Sequence, residues 1–383
     1  MKWELKSLDE IGFIGRGKSR HRPRNAEHLY GGEYPFVQTG DVKAANFKIT
    51  EFSQTYNEAG LAQSKLWKEG TLCITIAANI ADTAILGIDA CFPDSVIGFV
   101  PYEDKSDVRF VKYFFDIFQA RMKSIAVGAA QDNLSLEKLL TFKIPTPSLP
   151  TQRKIASILS AYDDLIENNL KRIKLLEEKA FLRYKQIVKE EKLEKYILSD
   201  FGDIITGKTP STTIADYFGD DVPFIKTPDM HNQIFIEHTD QMLSELGAKS
   251  QEKKFLPPLS LCVSCIGTAG VVGITSKPSQ TNQQINSIVF NEPKNVYFFY
   301  ALMSQMKEQL DALGSNGSTF TNVNKNKFEN MEVFIPNQKV LNEFAEEFEP
   351  PFSLILTLQK QNTKLREARD ILLPKLMNGQ IEV

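Results

Sequence analysis

Apolar residues recur every seven positions through a long stretch in the middle of the chain. From Gln152 to about Glu190 the sequence contains no Gly or Pro, and charged residues fill the positions between the apolar ones. This pattern predicts one long α-helix over residues 151–191, and a matching pattern predicts a second over residues 338–383. The predicted residues of the seam between the helices are Ile166, Asn169, Ile173, Leu176, Ile355, Leu358, Asn362 and Leu365. Tyr162 is a further predicted seam position, between the apolar residues that recur every seven positions.

Neither helix can bury its own apolar stripe. We therefore expect the two helices to pack on each other as an antiparallel coiled coil, with Asn169 and Asn362 fixing the register from within the seam. The alternative is that each helix packs only on its neighbouring domain. Glu349-Pro350-Pro351 is interpreted as the opening of the C-terminal helix, and Pro374 as its end.

The regions beside the helices predict two similar globular domains. Residues 1–150 alternate short β-rich runs with turns and one helical stretch, and residues 192–337 repeat that plan. The string TLCITIAA at 71–78 recurs as SLCVSCIG at 260–267, so that Cys73 matches Cys262 at a shift of 262 − 73 = 189. The predicted fold class is α+β: two duplicated mixed α/β domains separated by two long α-helices.

Composition narrows the class of protein. With 383 residues, 42% hydrophobic and 24% charged, the chain can bury two cores of about 150 residues each. No apolar run approaches a membrane span and the start of the chain is polar, so we expect a cytoplasmic protein without a membrane partner. The four cysteines suggest neither a disulfide framework nor a metal site. The net charge is −3, so binding to nucleic acid would depend on local basic patches.

Two motifs resemble enzyme signatures but lack their context. Residues 12–19, GFIGRGKS, and 202–209, GDIITGKT, fit the phosphate-loop pattern, yet no buried strand precedes them and no apolar helical stripe follows. Glu349 to Phe352 resembles the substrate loop of amino-methyltransferases, but its first residue is wrong and no Gly-rich cofactor loop accompanies it. The four histidines stand at neither metal nor triad spacing. The residues therefore favour a binding protein over an enzyme.

A family resemblance rests on the helical regions. Residues 144–188 resemble the conserved helical region of the DNA-specificity subunit of type I restriction-modification enzymes, and the resemblance extends over the whole chain. It is carried by Pro147 to Gln152, by Ile158 to Asp163, and by the ending LLPKLMNGQI at 372–381. It implies a non-catalytic subunit with two target-recognition domains, each of which reads one half of a split site in double-stranded DNA.

The resemblance also implies the partners and their cofactors. Two methylation subunits would dock on the helices, whose length would set the gap between the half-sites, and restriction and motor subunits would join them. S-adenosylmethionine, ATP and Mg²⁺ would bind those partners, leaving this chain without a cofactor or metal. Two other hypotheses stay open: a protein-interaction scaffold with a helical spacer, and a phosphate-loop nucleotide-binding enzyme.

The candidate DNA-binding residues form three groups. Cations at alternate positions suit phosphates, Asn and Gln can pair with adenine, and loops of small residues allow close backbone approach. The alternative for the basic group is an ordinary solvated loop. The candidates are Arg16, Lys18, Arg20, Arg22, Arg24, Gln38, Thr39, Asn79, Gln131, Asn133, Lys208, Thr209, Lys226, Thr227, Thr268, Asn282, Gln283, Gln284, Ser318, Thr319 and Asn322.

Overall fold

The computed structural model describes residues 3–23, 26–77, 81–125, 135–314 and 321–383. The chain divides into two compact units. The first unit comprises residues 1–167 and 364–383, and the second comprises residues 168–363. Each unit therefore contains one globular copy together with a segment of both long helices.

Both helices expected from the heptad pattern are present. The central helix runs over Leu149–Glu190 and has 42 residues, and the C-terminal helix runs over Gln338–Met377 and has 40. Isolated helices owe little stability to propensity alone, so helices of this length need a partner surface for their apolar stripes.

Each unit is built on a five-stranded sheet with the same strand order. The middle strand in each, Leu72–Thr75 or Leu261–Ser264, is buried on both faces, which explains its continuous apolar character. In sheet order the first unit has Gly12–Arg16, Val96–Pro101, Leu72–Thr75, Thr83–Leu86 and Lys48–Ile49. The second unit has Gly202–Thr206, Ile285–Phe290, Leu261–Ser264, Val272–Thr275 and Phe235–Ile236.

The duplication extends to individual cross-strand pairs. Cys73 lies opposite Gly98 and Ala84. Cys262 lies opposite Ser287 and Gly273, so all three positions have moved by the same 262 − 73 = 189 residues. The duplicated α+β fold predicted from the sequence is therefore confirmed.

Smaller elements complete each unit. The first unit adds the strands Glu4–Lys6, Tyr30–Phe36, Gln54–Tyr56, Leu66–Trp67, Ala90–Cys91 and Ile144–Thr146, and the helices Leu8–Ile11, Glu27–Leu29, Thr39–Ala44, Glu58–Ala62, Val108–Ile125 and Leu136–Thr141. The second adds the strands Glu194–Ile197, Phe218–Gly219, Val222–Ile225, Met242–Leu243, Ile266–Gly267, Gln280–Thr281, Thr321–Asn322 and Glu332–Ile335. Its short helices are Leu198–Asp200, Ala215–Tyr217, Thr227–Met230, Glu245–Lys249, Glu252–Lys254, Pro293–Asn295, Val296–Met303, Lys307–Gly314 and Lys325–Glu329.

Within each unit the two long helices run antiparallel. In the second unit Asn169 Nδ2 donates to Asn362 Oδ1 at 2.9 Å, and Arg183 pairs with Glu347 at 3.3 Å. The partner's number falls as the number on the central helix rises, which defines the antiparallel direction. In the first unit Leu159 and Leu373 belong to one hydrophobic cluster, again bringing a C-terminal residue to the start of the central helix.

The seam residues are buried to different degrees. Ile166, Asn169, Ile355, Leu358 and Asn362 are buried. Ile173, Leu176 and Leu365 are half-buried, and the first two pack against the main core of the second unit. The helix pair is thus also packed on the globular copies, which combines the two arrangements considered from the sequence.

Two local predictions about the helices, both concerning prolines, are wrong. Tyr162 is half-buried like Leu176, and its neighbour Asp163 is buried, where it meets Arg369 and Tyr113. Pro350 and Pro351 lie inside the C-terminal helix instead of opening it, and Pro374 lies inside its last turn. An internal proline costs a helix about 3 kcal/mol. The helix persists because Phe348 and Phe352 before and after the proline pair, and Leu373 and Leu376 around Pro374, are buried in the cores.

Candidate nucleic-acid interface

A basic loop follows the first strand of the five-stranded sheet in the first unit. We call residues 16–24 the basic loop. The side chains of Arg16, Lys18, Arg20 and Arg22 are exposed, and Arg24 lies outside the described residues. Four exposed cations in so short a segment create a local positive field on a chain whose net charge is −3.

The basic loop is held in place by its backbone. The amides of Arg20 and His21 both donate to Gln63 Oε1, at 2.6 and 2.9 Å. Ser64 Oγ donates to the carbonyl oxygen of Lys18 at 2.7 Å. These bonds fix the loop while leaving the Lys18 and Arg20 side chains exposed, so that cationic groups are presented on an ordered backbone. Gln63 and Ser64 could not be identified from the sequence pattern of the basic loop, because they lie more than forty residues away from it along the chain.

Arg22 differs from its neighbours. Its guanidinium donates to the carbonyl oxygens of Ser19 at 2.7 Å and His21 at 2.9 Å, and it lies 3.9 Å from the carboxylate of Asp94. These contacts occupy much of its donor capacity within the protein. Arg22 therefore stabilises the loop, whereas Lys18 and Arg20 are better placed to meet a ligand.

Lys65 is a further cation beside the basic loop. Its Nζ lies 3.5 Å from the centre of the Trp67 ring and 4.7 Å from that of Phe13. Partial burial lowers the pKa of Lys65, and the nearby charge of Lys18 acts in the same direction. Cation–π contacts offset part of the cost of this burial. Sequence inspection missed Lys65 because no charge cluster surrounds it in the chain.

The glycines of the two phosphate-loop strings have a structural role. A Cβ atom on Gly17 would lie 2.3 Å from the carbonyl oxygens of Phe92 and Pro93, and one on Gly207 would lie 2.2 Å from that of Asn282. Each string begins with a β-strand, Gly12–Arg16 or Gly202–Thr206, and no helix begins at its lysine. The strings are therefore sheet-packing segments, and the geometry of a phosphate loop is absent from both.

The matching surface of the second unit combines lysines with uncharged polar side chains. Thr209 Oγ1 donates to Gln283 Oε1 at 2.7 Å, and the amide of Lys208 donates to the carbonyl oxygen of Thr281 at 2.9 Å. The amide of Asn282 donates to the carbonyl oxygen of Ile225, the residue before Lys226. The fold thus brings together three candidate segments that are far apart in sequence: 208–209, 226–227 and 282–284.

Some of the candidate DNA-binding residues in these three segments are buried or form hydrogen bonds within the protein. Thr227 is only 8% exposed. Asn282 is buried and its amide donates to Gln284 Oε1 at 3.0 Å. Lys208 and Gln283 are exposed, and Thr209, Lys226 and Gln284 are half-exposed. The exposed amides and cations are therefore the members of the group that a ligand could reach.

The Thr-x-Asp string that follows a strand in both copies caps a short helix. Asp41 Oδ2 accepts from the amide of Gln38 at 2.7 Å, and Asp229 Oδ2 accepts from the amide of Lys226 at 2.8 Å. These carboxylates satisfy backbone donors at helix starts, which gives both aspartates a structural role. Gln38 and Thr39 are half-exposed, and Gln38 Nε2 donates to Gln54 Oε1 at 2.7 Å.

A second part of the candidate surface lies beside this group in the second unit. The strand Ile266–Gly267 pairs with Thr321–Asn322, which brings exposed Thr268 near exposed Asn322. The amide of Cys265 donates to the carbonyl oxygen of Gln284 at 2.8 Å, so this part adjoins the 282–284 segment. The remaining candidates, Asn79, Gln131, Asn133, Ser318 and Thr319, lie outside the described residues.

One tyrosine in each unit ties the globular copy to the central helix. Tyr113 donates to Asp163 Oδ2 at 2.5 Å in the first unit, and Tyr300 donates to Glu177 Oε1 at 2.5 Å in the second. Burial raises the pKa of Tyr300 well above its ordinary value, and the adjacent Glu177 carboxylate raises it further. Both hydroxyls therefore remain protonated donors at neutral pH.

The described part of the chain holds neither a metal site nor a membrane span. Among those residues no group of three or more His, Cys, Asp or Glu side chains is arranged to hold a metal ion. None of the described helices is long and apolar enough to cross a membrane. All four cysteines are free and buried.

Comparison with known proteins identifies the family. The model for the "Type I restriction modification DNA specificity domain" matches twice, over residues 1–178 and 190–364. The chain belongs to this specificity-domain family. The two matches account for nearly the whole of the chain, which agrees with the duplication seen in the strand register.

Relatives of this family resemble the chain to different extents. The HindI specificity subunit of Haemophilus influenzae is 46% identical over 190 residues, 49% of this chain and 41% of its own length. The chain thus spans less than half of that relative. The MjaIX specificity subunit of Methanocaldococcus jannaschii is 26% identical over 100% of this chain and 94% of its own length.

A solved structure shares the fold of the specificity-domain chain. The S subunit of a type I restriction-modification system from M. genitalium matches with a TM-score of 0.60 at 15% identity, covering 98% of this chain and 96% of that one. At this identity the match shows that the whole fold is shared. The structural match carries no information about which residues would contact a ligand.

Proposed function

We propose that the chain is a DNA-specificity subunit in which each globular copy reads one half of a bipartite target. The observation that carries this proposal is one framework with two different surfaces. Cross-strand partners match at a shift of 189 residues. Where the first copy has Arg20 and Arg22, the second has Pro210 and Thr212, at the 202 − 12 = 190 shift that relates Gly202 to Gly12. Equal frameworks with unequal side chains suit two different half-sites.

The proposal assigns the spacing of the half-sites to the helix pair. Each copy is tied to the same uninterrupted central helix, through Tyr113 and Asp163 in one unit and Tyr300 and Glu177 in the other. The tie of both copies to one continuous helix supports a constant gap between the two sequences that are read. Sequence-specific contacts in the major groove require such a fixed rise and rotation along the duplex.

We assign the catalytic chemistry to partner subunits. Two methylation subunits would dock on the helices, and restriction and motor subunits would join them. S-adenosylmethionine, ATP and Mg²⁺ would bind these partners. Leu175 and Leu182 are 65% and 67% exposed on the central helix and offer apolar surface for such docking. Because the target is cellular DNA, the proposed action takes place in the cytoplasm.

Selection from random DNA tests the proposal directly. The full chain and its methylating partner are incubated with a random duplex library, and bound DNA is recovered and sequenced over several rounds. We expect enrichment of two short motifs separated by a constant number of unread base pairs. Enrichment of a single uninterrupted motif would contradict the two-copy assignment, and no enrichment would support a protein-interaction scaffold instead.

A further inference from the structure

A polar cavity in the second unit is lined by the first strand of the five-stranded sheet. It has a volume of about 430 Å³. The strand Gly202–Thr206 forms its floor, and its walls include Lys253, Lys254 and Lys325. The lysines come from two different short helices, Glu252–Lys254 and Lys325–Glu329, so their convergence is a product of the fold.

The charge around this cavity is positive. Two acidic side chains, Asp203 and Glu329, also line it. Glu329 lies 3.8 Å from Lys325 one helical turn away, an exposed contact that stabilises little. Among the residues that the structure describes, Lys253 and Lys254 have no carboxylate within 4 Å. Three lysines against two carboxylates, with two of the lysines in no ion pair within the described part of the chain, leave an excess of positive charge around this space, which favours an anion.

The cavity adjoins the candidate surface of the second unit. Its floor ends at Thr206, two residues before Lys208, and Thr206 Oγ1 donates to Asn286 Oδ1 at 2.6 Å. Asn286 in turn donates to the carbonyl oxygen of Val323, next to Asn322. A ligand lying across the exposed amides of this surface would extend naturally over the cavity.

The first unit places a lysine at the matching position. Lys254 corresponds to Lys65 at the same 254 − 65 = 189 shift, and Lys65 lies over the Phe13 side chain of the first strand. In the first unit the exposed cations Lys18 and Arg20 of the basic loop lie nearby in space, since the backbone of that loop bonds to Gln63 and Ser64. In the second unit the corresponding loop has no arginines, and Lys253 and Lys325 supply charge at the cavity instead.

We propose that the cavity formed by Lys253, Lys254 and Lys325 binds a phosphate group of the DNA backbone beside the second half-site. This inference rests on the proposed function and adds an anchor that fixes the position of the second copy on the duplex without reading a base. Phosphate contacts of this kind set register and supply most of the salt-dependent affinity.

Methylphosphonate interference tests the inference. The duplex carries the selected bipartite site, and each phosphate beside the second half-site is replaced in turn by an uncharged methylphosphonate. The full chain with its methylating partner should bind more weakly when one or a few of these positions are replaced. The variant Lys253→Gln/Lys254→Gln/Lys325→Gln should bind the native duplex more weakly and be insensitive to methylphosphonate at those same positions. Its salt slope should fall by about 0.9 for each phosphate that the variant no longer neutralises.

A matched control separates local contacts from bulk charge. Lys249→Gln/Lys277→Gln/Lys339→Gln removes three exposed lysines that do not line the cavity, and it should retain the wild-type interference pattern. Equal melting temperatures for both variants would establish that folding is intact. An unchanged pattern in the cavity variant overturns the inference while the proposed function stands. Failure of the unaltered complex to bind any bipartite site overturns the proposed function and the inference together.

Discussion

At the scale of single residues, Asp163 is a buried charged group with partners on two other elements of the first unit. It is 1% exposed and accepts from Arg369 Nη1 at 2.5 Å and from the Tyr113 hydroxyl at 2.5 Å. The Asp163 carboxylate raises the pKa of Arg369, against the opposing effect of burial, which lowers it. The three residues come from the central helix, the C-terminal helix and the globular copy, so one carboxylate joins three elements of the unit.

Replacing this carboxylate should destabilise the first unit. Asp163→Asn keeps the shape of the side chain but leaves the partly buried Arg369 with only the exposed carboxylate of Asp370, at 2.9 Å, as a counter-charge. Removing one partner of a buried pair costs about 3 kcal/mol. The midpoint of the first unit's transition in urea, followed by a probe within that unit, should fall accordingly. Asp163→Asn/Arg369→Met, which removes both charges, should recover much of this stability; an equally unstable double variant would show that the pair is not the cause.

Glu177 predicts a dependence of stability on pH in the second unit. Burial raises the pKa of Glu177 above its ordinary value of 4.5, and neighbouring Glu178 raises it further, whereas the hydrogen bond from Tyr300 lowers it. The folded chain therefore holds this proton more tightly than the unfolded chain. The contribution of Glu177 to stability is fully present below pH 4.5 and is lost as the pH rises through the raised folded value.

Glu177→Gln should remove that pH dependence, because the amide oxygen can still accept from Tyr300 and carries no charge. We expect the variant to be more stable than the wild type at neutral pH, with the difference shrinking toward pH 4. Urea unfolding of both proteins across this pH range measures the effect. Glu190→Gln, an exposed site on the same helix, serves as the control. A difference between Glu177→Gln and wild type that grows toward low pH would contradict the assignment.

The basic loop allows cations that stabilise the loop to be separated from cations that would meet DNA. Lys18→Gln/Arg20→Gln should leave the loop's backbone bonds intact and reduce the salt slope of DNA binding by up to about two. Arg22→Gln should instead alter loop stability, because its guanidinium bonds to Ser19 and His21. Filter binding at several salt concentrations measures the slopes. If Arg22→Gln alone reproduced the full change in slope, the division of roles would be wrong.

At the scale of elements, one glutamine completes the edge of a sheet. Gln359 on the C-terminal helix accepts from the amide of Phe235 and donates to its carbonyl oxygen, both at 3.0 Å. One turn later Thr363 Oγ1 lies 2.9 Å from His238 Nε2. The Gln359 amide thus takes the place of a neighbouring strand along Phe235–Ile236. This contact fixes the edge of the second five-stranded sheet to the helix.

Gln359→Ala should loosen this edge. It leaves two polar groups of a buried residue without partners, at a cost of about 1–3 kcal/mol. Hydrogen exchange in peptides covering residues 233–241 should become faster, while the core strand Leu261–Ser264 stays protected. Gln361→Ala, an exposed site two residues further along, should change neither. Unaltered exchange at 233–241 in Gln359→Ala would show that the edge is held by other contacts.

The helices and strands could be predicted from local sequence pattern more readily than the functional sites could. The seven-residue period predicted both long helices, because a buried stripe at that spacing must recur along the chain. The inward turn of Asp163 and the internal prolines escaped prediction, since both depend on what the helix meets in space. Gln359, Gln63 and the Lys253, Lys254 and Lys325 group escaped for the same reason. Each acquires its role from a residue distant in sequence, which periodicity does not record.

At the scale of the whole molecule, the chain repeats a framework and varies its surface. The buried middle strands keep their register through the duplication, because a slip of one residue would turn every core side chain outward. Positions outside the core are free of this constraint and can differ between the two copies. For example, Asp94 beside the basic loop corresponds to Gln283 in the second copy, at 283 − 94 = 189. Two recognition surfaces can therefore diverge while both copies remain attached to the same helices.

The role of the helices predicts how the target should change with their length. Seven residues inserted after Glu167 and seven after Thr363 preserve the heptad phase and both the Asp163–Arg369 and Asn169–Asn362 pairs, since the helices are antiparallel. One heptad adds about 10.5 Å of helix. That length corresponds to about three base pairs. Random-site selection should therefore recover the same two motifs with a gap longer by about three base pairs.

A seven-residue insertion in only one of the two helices is the control for the paired insertion. It places Asn169 or Asn362 opposite an apolar neighbour and breaks the seam, so that specific binding should be abolished rather than re-spaced. A paired insertion that left the gap unchanged would mean that other contacts set the spacing. The helix pair would then serve only as a docking surface for partner subunits, since its length would carry no information about the target.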